Sequence, residues 1–171
     1  MNRTVLALSA WCGLAFSSLA QTASDLNEGS LLTQQPATGT YTYSWWGVTG
    51  RTYFIQQSED LFTWNYLPLI ESGAGQVISW GFSTSSSKLF LRLKYSDIVT
   101  GDPAGADFDG DGMSNFWEVR SGLDPLEWTD PFVNPDGDDA TNLQEYVANT
   151  SPNDPAPVLT LAAPIGATLV P

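Results

Sequence analysis

The sequence predicts a mainly β protein, a small antiparallel β-sandwich or half-barrel followed by an acidic segment of loops and short helices. Three observations carry this. Stretches of period-two alternation, rich in aromatic and β-branched residues, fill residues 39–98. Thirteen of the 19 acidic residues, with Arg120 as the sole base, fall between residues 102 and 154, so nearly all of the −13 net charge belongs to that segment. Within it, one loop-and-helix pattern occurs twice, 27 residues apart.

The chain opens with MNRTVLALSAWCGLAFSSLA, which has the layout of an export leader. Arg3 gives the positive start, Val5 to Phe16 the apolar stretch, and Ser18 and Ala20 the small residues before a cleavage site. A leader over residues 1–20 and a mature start at Gln21 are therefore expected, with the protein secreted or held at the cell surface. The apolar run is short for a membrane span and is broken by Ser and Gly, so no transmembrane segment is expected in the mature chain. Cys12 is the only cysteine and there is no histidine. This excludes disulfides in the mature chain, zinc sites built on Cys or His, and Ser-His or Cys-His nucleophiles. The negative charge disfavours nucleic acid as a partner.

Residues 21–38 read as a polar lead. Then TYTYSWWG, RTYFIQQ, WNYLPLI, QVISWGF and KLFLRLKY read as strands, with VTG, SED and SGAG as turns between them. In the last strand Leu89, Leu91, Leu93 and Tyr95 share one face, and Lys88, Phe90, Arg92 and Lys94 the other. Trp45, Trp46, Trp64 and Trp80 are expected to fill the core of this small module; the alternative is an exposed platform for stacking a glycan. Glu59, Asp60 and Glu71 are turn-associated carboxylates, and no catalytic constellation emerges, so the chain is not expected to be an enzyme. IVTGDPAGA carries the Gly and Pro of a linker, placed at residues 99–106.

The acidic segment, residues 107–154, begins DFDGDGMSNFWE. Two unit charges about 5 Å apart repel by ~3 kcal/mol at an effective dielectric of ~20, so three alternating carboxylates need a counter-charge. A 12-residue calcium loop takes oxygens from positions 1, 3, 5, 9 and 12, a carbonyl from position 7, and a turn at a glycine in position 6. Asp107, Asp109, Asp111, Asn115 and Glu118 fill the oxygen positions, Met113 offers the carbonyl, and Gly112 makes the turn. The second loop offers Asn134, Asp136, Asp138, Asn142 and Glu145, with Ala140 as the carbonyl. There Asp139 replaces the glycine, and left-handed strain at Asp139 together with a neutral Asn134 predicts a weaker second site. A short helix follows each loop, with Asn115 and Asn142 placed at its N-cap and Phe116, Val119, Leu143 and Tyr146 as its packing residues. Gly122 and Asn149 are suited to the left-handed stop, and Pro125 and Pro152 lie just beyond.

DFDGDGMSNFWEVRSGLDPLEW and NPDGDDATNLQEYVANTSPND resemble bacterial thrombospondin type 3 repeats. The resemblance implies a calcium-wrapped, extracellular, mainly non-catalytic segment with little regular structure; a structural, spacer or adhesion role is expected, with an extracellular protein or glycan as partner. A dockerin, a cohesin-binding module that also pairs two calcium loops with helices, is the alternative; its loops usually end in Asp, whereas these end in Glu. More loosely, GRTYFIQQSEDLFTW resembles a small β-module of exported bacterial proteins. Residues 155–171 form a tail with one strand-like run from Val158 to Leu161, which resembles the opening of a further β-module.

Overall fold

A computed structural model describes residues 5–9, 30–35 and 40–155. The chain is mainly β. Strands β1 (Val5–Ser9), β2 (Ser30–Gln35), β3 (Thr40–Gly47), β4 (Thr52–Ser58), β5 (Asn65–Ser72), β6 (Gln76–Phe82) and β7 (Lys88–Ser96) are followed by helices α1 (Asn115–Ser121) and α2 (Asn142–Ala148), with a 3-10 turn at Asp130–Phe132 between them. One sheet has the order β1-β7-β4-β5 and the other β2-β3-β6, and neighbouring strands are antiparallel.

The strands form where alternation places an apolar side chain on the inner face at every second residue. Tyr43 and Trp45 of β3, Tyr53 and Ile55 of β4, and Leu89, Leu91 and Leu93 of β7 meet between the sheets as one core. Trp45 lies 5.5 Å from Tyr43 and 5.9 Å from Tyr53, centroid to centroid. The buried Tyr53 hydroxyl accepts from the Val48 amide at 3.0 Å and donates to the Trp46 carbonyl at 3.1 Å, so its polar end is satisfied. SGAG carries the chain from one sheet to the other. A β-carbon at Gly73 would sit 1.9 Å from the Val48 carbonyl oxygen, which only glycine avoids.

Three sequence expectations need correction. The polar lead contains β2, which pairs with β3 from Ser30↔Trp45 to Gln35↔Thr40. In SLLTQQ only Leu32 packs against the core, so an edge strand of this kind carries almost no period-two signal. Second, residues 99–106 do not act as a loose linker. The carbonyls of Pro103, Ala104 and Ala106 accept from Asn115 Nδ2, the Phe116 amide and the Asn115 amide, at 2.7, 3.0 and 2.8 Å. Third, Phe116 is 44% exposed rather than packed. The tail from residue 156 onward and most of the expected leader lie outside the described residues; Val5–Ser9 of that leader is strand β1 on β7.

The acidic segment is docked on the sandwich by a second core. β4 is buried on both faces: Tyr53 and Ile55 look inward, while Phe54 looks out to Tyr66, Phe108 and Val119. Phe54 meets Tyr66 and Phe108 edge-on at 6.4 and 6.1 Å. Asp124, just after α1, closes the contact by accepting from the Tyr66 hydroxyl at 2.6 Å and pairing with Lys94 of β7. The second core therefore ties the repeat segment to the central strand of the sheet.

Truncating Phe108 to alanine should cost about 3–5 kcal/mol, the range for a buried aromatic. Because Phe108 leans on β4, urea unfolding followed by core tryptophan fluorescence and by helical circular dichroism should shift together. A shift confined to the helical signal would mean that the two parts unfold independently.

Candidate metal centre

Each acidic loop is fixed to its helix by an asparagine. Asn115 is fully buried; its Oδ1 accepts from the Phe108 amide at 3.1 Å and its Nδ2 donates to the Pro103 carbonyl. Asn142 repeats this, with Nδ2 donating to the Asp130 carbonyl at 2.8 Å. Its Oδ1 is buried without a partner, because the residue matching Phe108 is Pro135, which has no N–H to donate. The caps are Ser114 and Thr141, one residue earlier than expected, and Gln144 reaches back to the Thr141 amide at 2.8 Å. Asn115 and Asn142 are thus the first helical residues. Asn115 spends both ends on backbone and so scaffolds its loop in place of the ligand role expected of it, whereas Asn142 spends only its amide and keeps Oδ1 unpartnered. Gly122 and Asn149 close the helices at φ 81° and 57°, the left-handed stops the sequence predicts.

In the first loop, Asp107 folds the chain around itself. It accepts from the amides of Gly110 at 2.7 Å, Asp111 at 3.2 Å and Gly112 at 3.0 Å. Asp109 and Asp111 each use one oxygen on a backbone amide, of Asp111 and Met113 respectively, and each keeps the other buried without a partner. Glu118 comes up from α1 beneath them, 0% exposed, with neither oxygen hydrogen-bonded. A fifth carboxylate arrives from the segment leading to the second repeat. Asp130 lies at the repeat position of Pro103; it accepts from the Asp124 amide at 3.1 Å through Oδ2 and leaves Oδ1 buried and unpartnered. Ligand-capable oxygens of Asp107, Asp109 and Asp111, and of Asp111, Glu118 and Asp130, lie within 4.8 Å of one another.

The second loop gathers Asp136, Asp138 and Glu145 within the same distance. Glu145 is 0% exposed and keeps Oε2 unpartnered, while its Oε1 lies 3.3 Å from the Thr150 hydroxyl. Asn134 stands where Asp107 does, and its Oδ1 accepts from the Gly137 amide at 2.8 Å. The amide side of Asn134 cannot accept from position 6 as Asp107 does, and donates to the Asp138 carbonyl instead. The loop takes a different path as a result. Asp139 is not among the residues with positive φ, so the left-handed strain expected there does not arise; Gly112 does adopt it, at φ 97°. Met113 and Ala140 sit buried at the loop ends, their amides held by Asp111 and Asp138 at 2.8 and 2.6 Å.

Electrostatics follow from this crowding. Burial, reinforced by Asp109, Asp111, Asp130 and Asp107, pushes the Glu118 carboxyl up to about 9. Asp109 rises to about 6 by burial and its Asp111 neighbour, and burial raises Asp130 and Glu145 as well. A carboxyl so placed is stable only with a proton or beside a cation. The cluster could hold a metal ion, and hard carboxylate oxygens suit a hard divalent one.

The tryptophans divide between roles. Trp45 is core, Trp80 packs against it and stacks on Phe82 at 4.5 Å, and Trp64 lies under the Arg92 guanidinium at 4.0 Å. Trp46 follows Trp45 on β3 and takes the opposite face. The four therefore form no common platform. No protein-family model matches the chain, and neither a curated protein nor a solved structure matches it. Among the described residues no helix is long and apolar enough to cross a membrane.

In chelator, the folded repeats should bind a proton that the unfolded chain releases, since Glu118 titrates near 9 folded and near 4.5 unfolded. Their stability is then greatest below about 4.5 and declines as pH rises towards 9. Thermal melts in EDTA across pH 5 to 9 should give a falling midpoint; a rising one would contradict the protonated Glu118.

Proposed function

We propose that the two loops bind calcium and that the bound ions fasten the acidic repeats in an exported structural or spacer protein. The observation that carries this reading is Glu118, wholly buried with both oxygens unpartnered among Asp109, Asp111 and Asp130. Calcium accepts six to eight oxygens in flexible geometry, whereas magnesium demands a near-ideal octahedron and keeps its waters. Five carboxylates on one loop, one helix and one neighbouring turn fit the former. The resemblance to thrombospondin type 3 repeats supports the same conclusion and applies to the loops alone.

On this reading the first site uses Asp107, Asp109, Asp111, Glu118 and Asp130, with the Met113 carbonyl. The second uses Asp136, Asp138 and Glu145, with the Asn134 oxygen and the Ala140 carbonyl. The lower charge of the second site makes it the weaker, by loss of carboxylates rather than by strain at Asp139. The role is mechanical: helices of seven residues do not persist alone in water, so the ions hold them in place.

Glu118→Gln separates this reading from an acidic surface with no ligand. It removes both a calcium oxygen and the repulsion in the chelated protein. The variant should therefore melt above the parent in EDTA and below it in calcium; the same order in both buffers would sink the proposal.

Calorimetric titration should resolve two affinities. Asp109→Ala should abolish the tighter and Asp136→Ala the weaker. At a calcium concentration 100 times the dissociation constant, each site should add about 2.7 kcal/mol to stability.

A further inference from the structure

A second inference concerns what the sheet does to the first loop. The aromatic contacts of the second core already dock the acidic segment on β4 and β5. Docking alone does not call for the bonds that surround Asp124. Its Oδ1 accepts from the Tyr66 hydroxyl of β5 at 2.6 Å and from the Leu126 amide at 3.2 Å, and its Oδ2 pairs with Lys94 of β7, whose side chain is mostly buried. The Asp124 carbonyl accepts from the Glu127 amide at 2.9 Å. The residue is thus fixed both to two strands of the sheet and to its own turn.

The remaining polar group of Asp124 is its amide, which donates to Asp130 Oδ2 at 3.1 Å. Asp130 Oδ1 is buried without a partner, and Asp130 offers an oxygen within 4.8 Å of one from Asp111 and one from Glu118. A relay therefore runs from the sheet to the loop. Tyr66 and Lys94 hold Asp124, Asp124 holds one oxygen of Asp130, and the carboxylate so held faces the other acids of the first site.

The second repeat lacks this relay. Ser151 and Pro157 stand 27 residues beyond Asp124 and Asp130, and neither carries a carboxylate. The relay is accordingly no part of the repeating unit; it occurs where the first unit meets the sheet. Groups that hydrogen-bond a ligating carboxylate fix its orientation, and losing one typically weakens metal binding by about 10–100-fold. Tyr66 acts one residue further out than such a group.

We propose that Tyr66 is a positioning residue for the first cation: with Lys94, and through Asp124, it aims the Asp130 carboxylate, so that the sheet helps to set how tightly the first site holds its ion. By reciprocity the filled site clamps the acidic segment to the sheet. This rests on the calcium reading of the first loop.

Tyr66→Phe keeps the ring in the second core, leaves the net charge unchanged and removes the hydroxyl alone. Calorimetric titration of the full chain with calcium should show the tighter site weakened about three- to tenfold, less than the loss of a direct partner. In an Asp130→Ala background the same change should alter that affinity by less than about 1.5-fold, because the end of the relay is gone. Weakening by the same factor in both backgrounds would mean that Tyr66 acts through general stability, and an unchanged affinity in Tyr66→Phe alone would mean that it does not act on the site. Either result overturns the proposal and leaves calcium binding intact. A parent chain that takes up no calcium overturns it together with the calcium reading. The reverse direction needs no change in the sheet. Saturating calcium should slow hydrogen exchange at the Leu126 amide, which bonds to Asp124, at least about threefold more in the parent than in Asp130→Ala. Equal slowing in the two chains would count against the relay just as firmly.

Discussion

A carboxyl deprived of both water and a hydrogen-bond donor is costly to ionise, and among the described residues Glu118 is wholly buried with neither oxygen hydrogen-bonded. An ion of that size taken out of water costs several kcal/mol even after the surroundings relax. Against a folding free energy of the order of 5–15 kcal/mol, such a cost is a large share. The arrangement of the acidic segment follows from it. The alternating aspartates wrap the loop above Glu118, α1 presents it from below, and the turn at Asp130 closes the remaining side.

The sandwich gives that arrangement a rigid base. β4 pairs with β5 and β7 and is covered on one face by the other sheet and on the other by Phe108 and Val119. Lys94 reaches down to the acidic side through Asp124. A segment carrying so much negative charge is held against a sheet mainly by aromatic edges and one ion pair. The two parts therefore share a core although their compositions are sharply different.

Much of this was legible in the sequence, and the parts that were not have physical causes. Period-two alternation located β3 and β7, whose side chains divide between the core and the outer face, and runs of aromatic and β-branched residues between turns located β4, β5 and β6. β2 escaped because Leu32 alone reaches the core and four of its six residues, Ser30, Thr33, Gln34 and Gln35, are as polar as a loop. The oxygen spacing located Asp107, Asp109, Asp111 and Glu118, since local geometry sets it. Asn115 was placed among the ligands because it sits at the right offset; its actual partners, the Phe108 amide and the Pro103 carbonyl, lie behind the loop. Asp130 gave no periodic signal, as it matches a proline in the first repeat and acts across the boundary between repeats.

That last contact has a consequence for how such units join in series. The first repeat is completed by a side chain belonging to the approach to the second, and the same turn holds Asn142 through its own carbonyl. The position 27 residues beyond Asp130 is Pro157, which offers no carboxylate. In a row of units that each lend a group to the one before, as in a stacked repeat protein, the final unit always lacks its lender. Such a row has a polarity: it frays from its carboxyl end, and a loop's rank in the row counts for as much as its own residues.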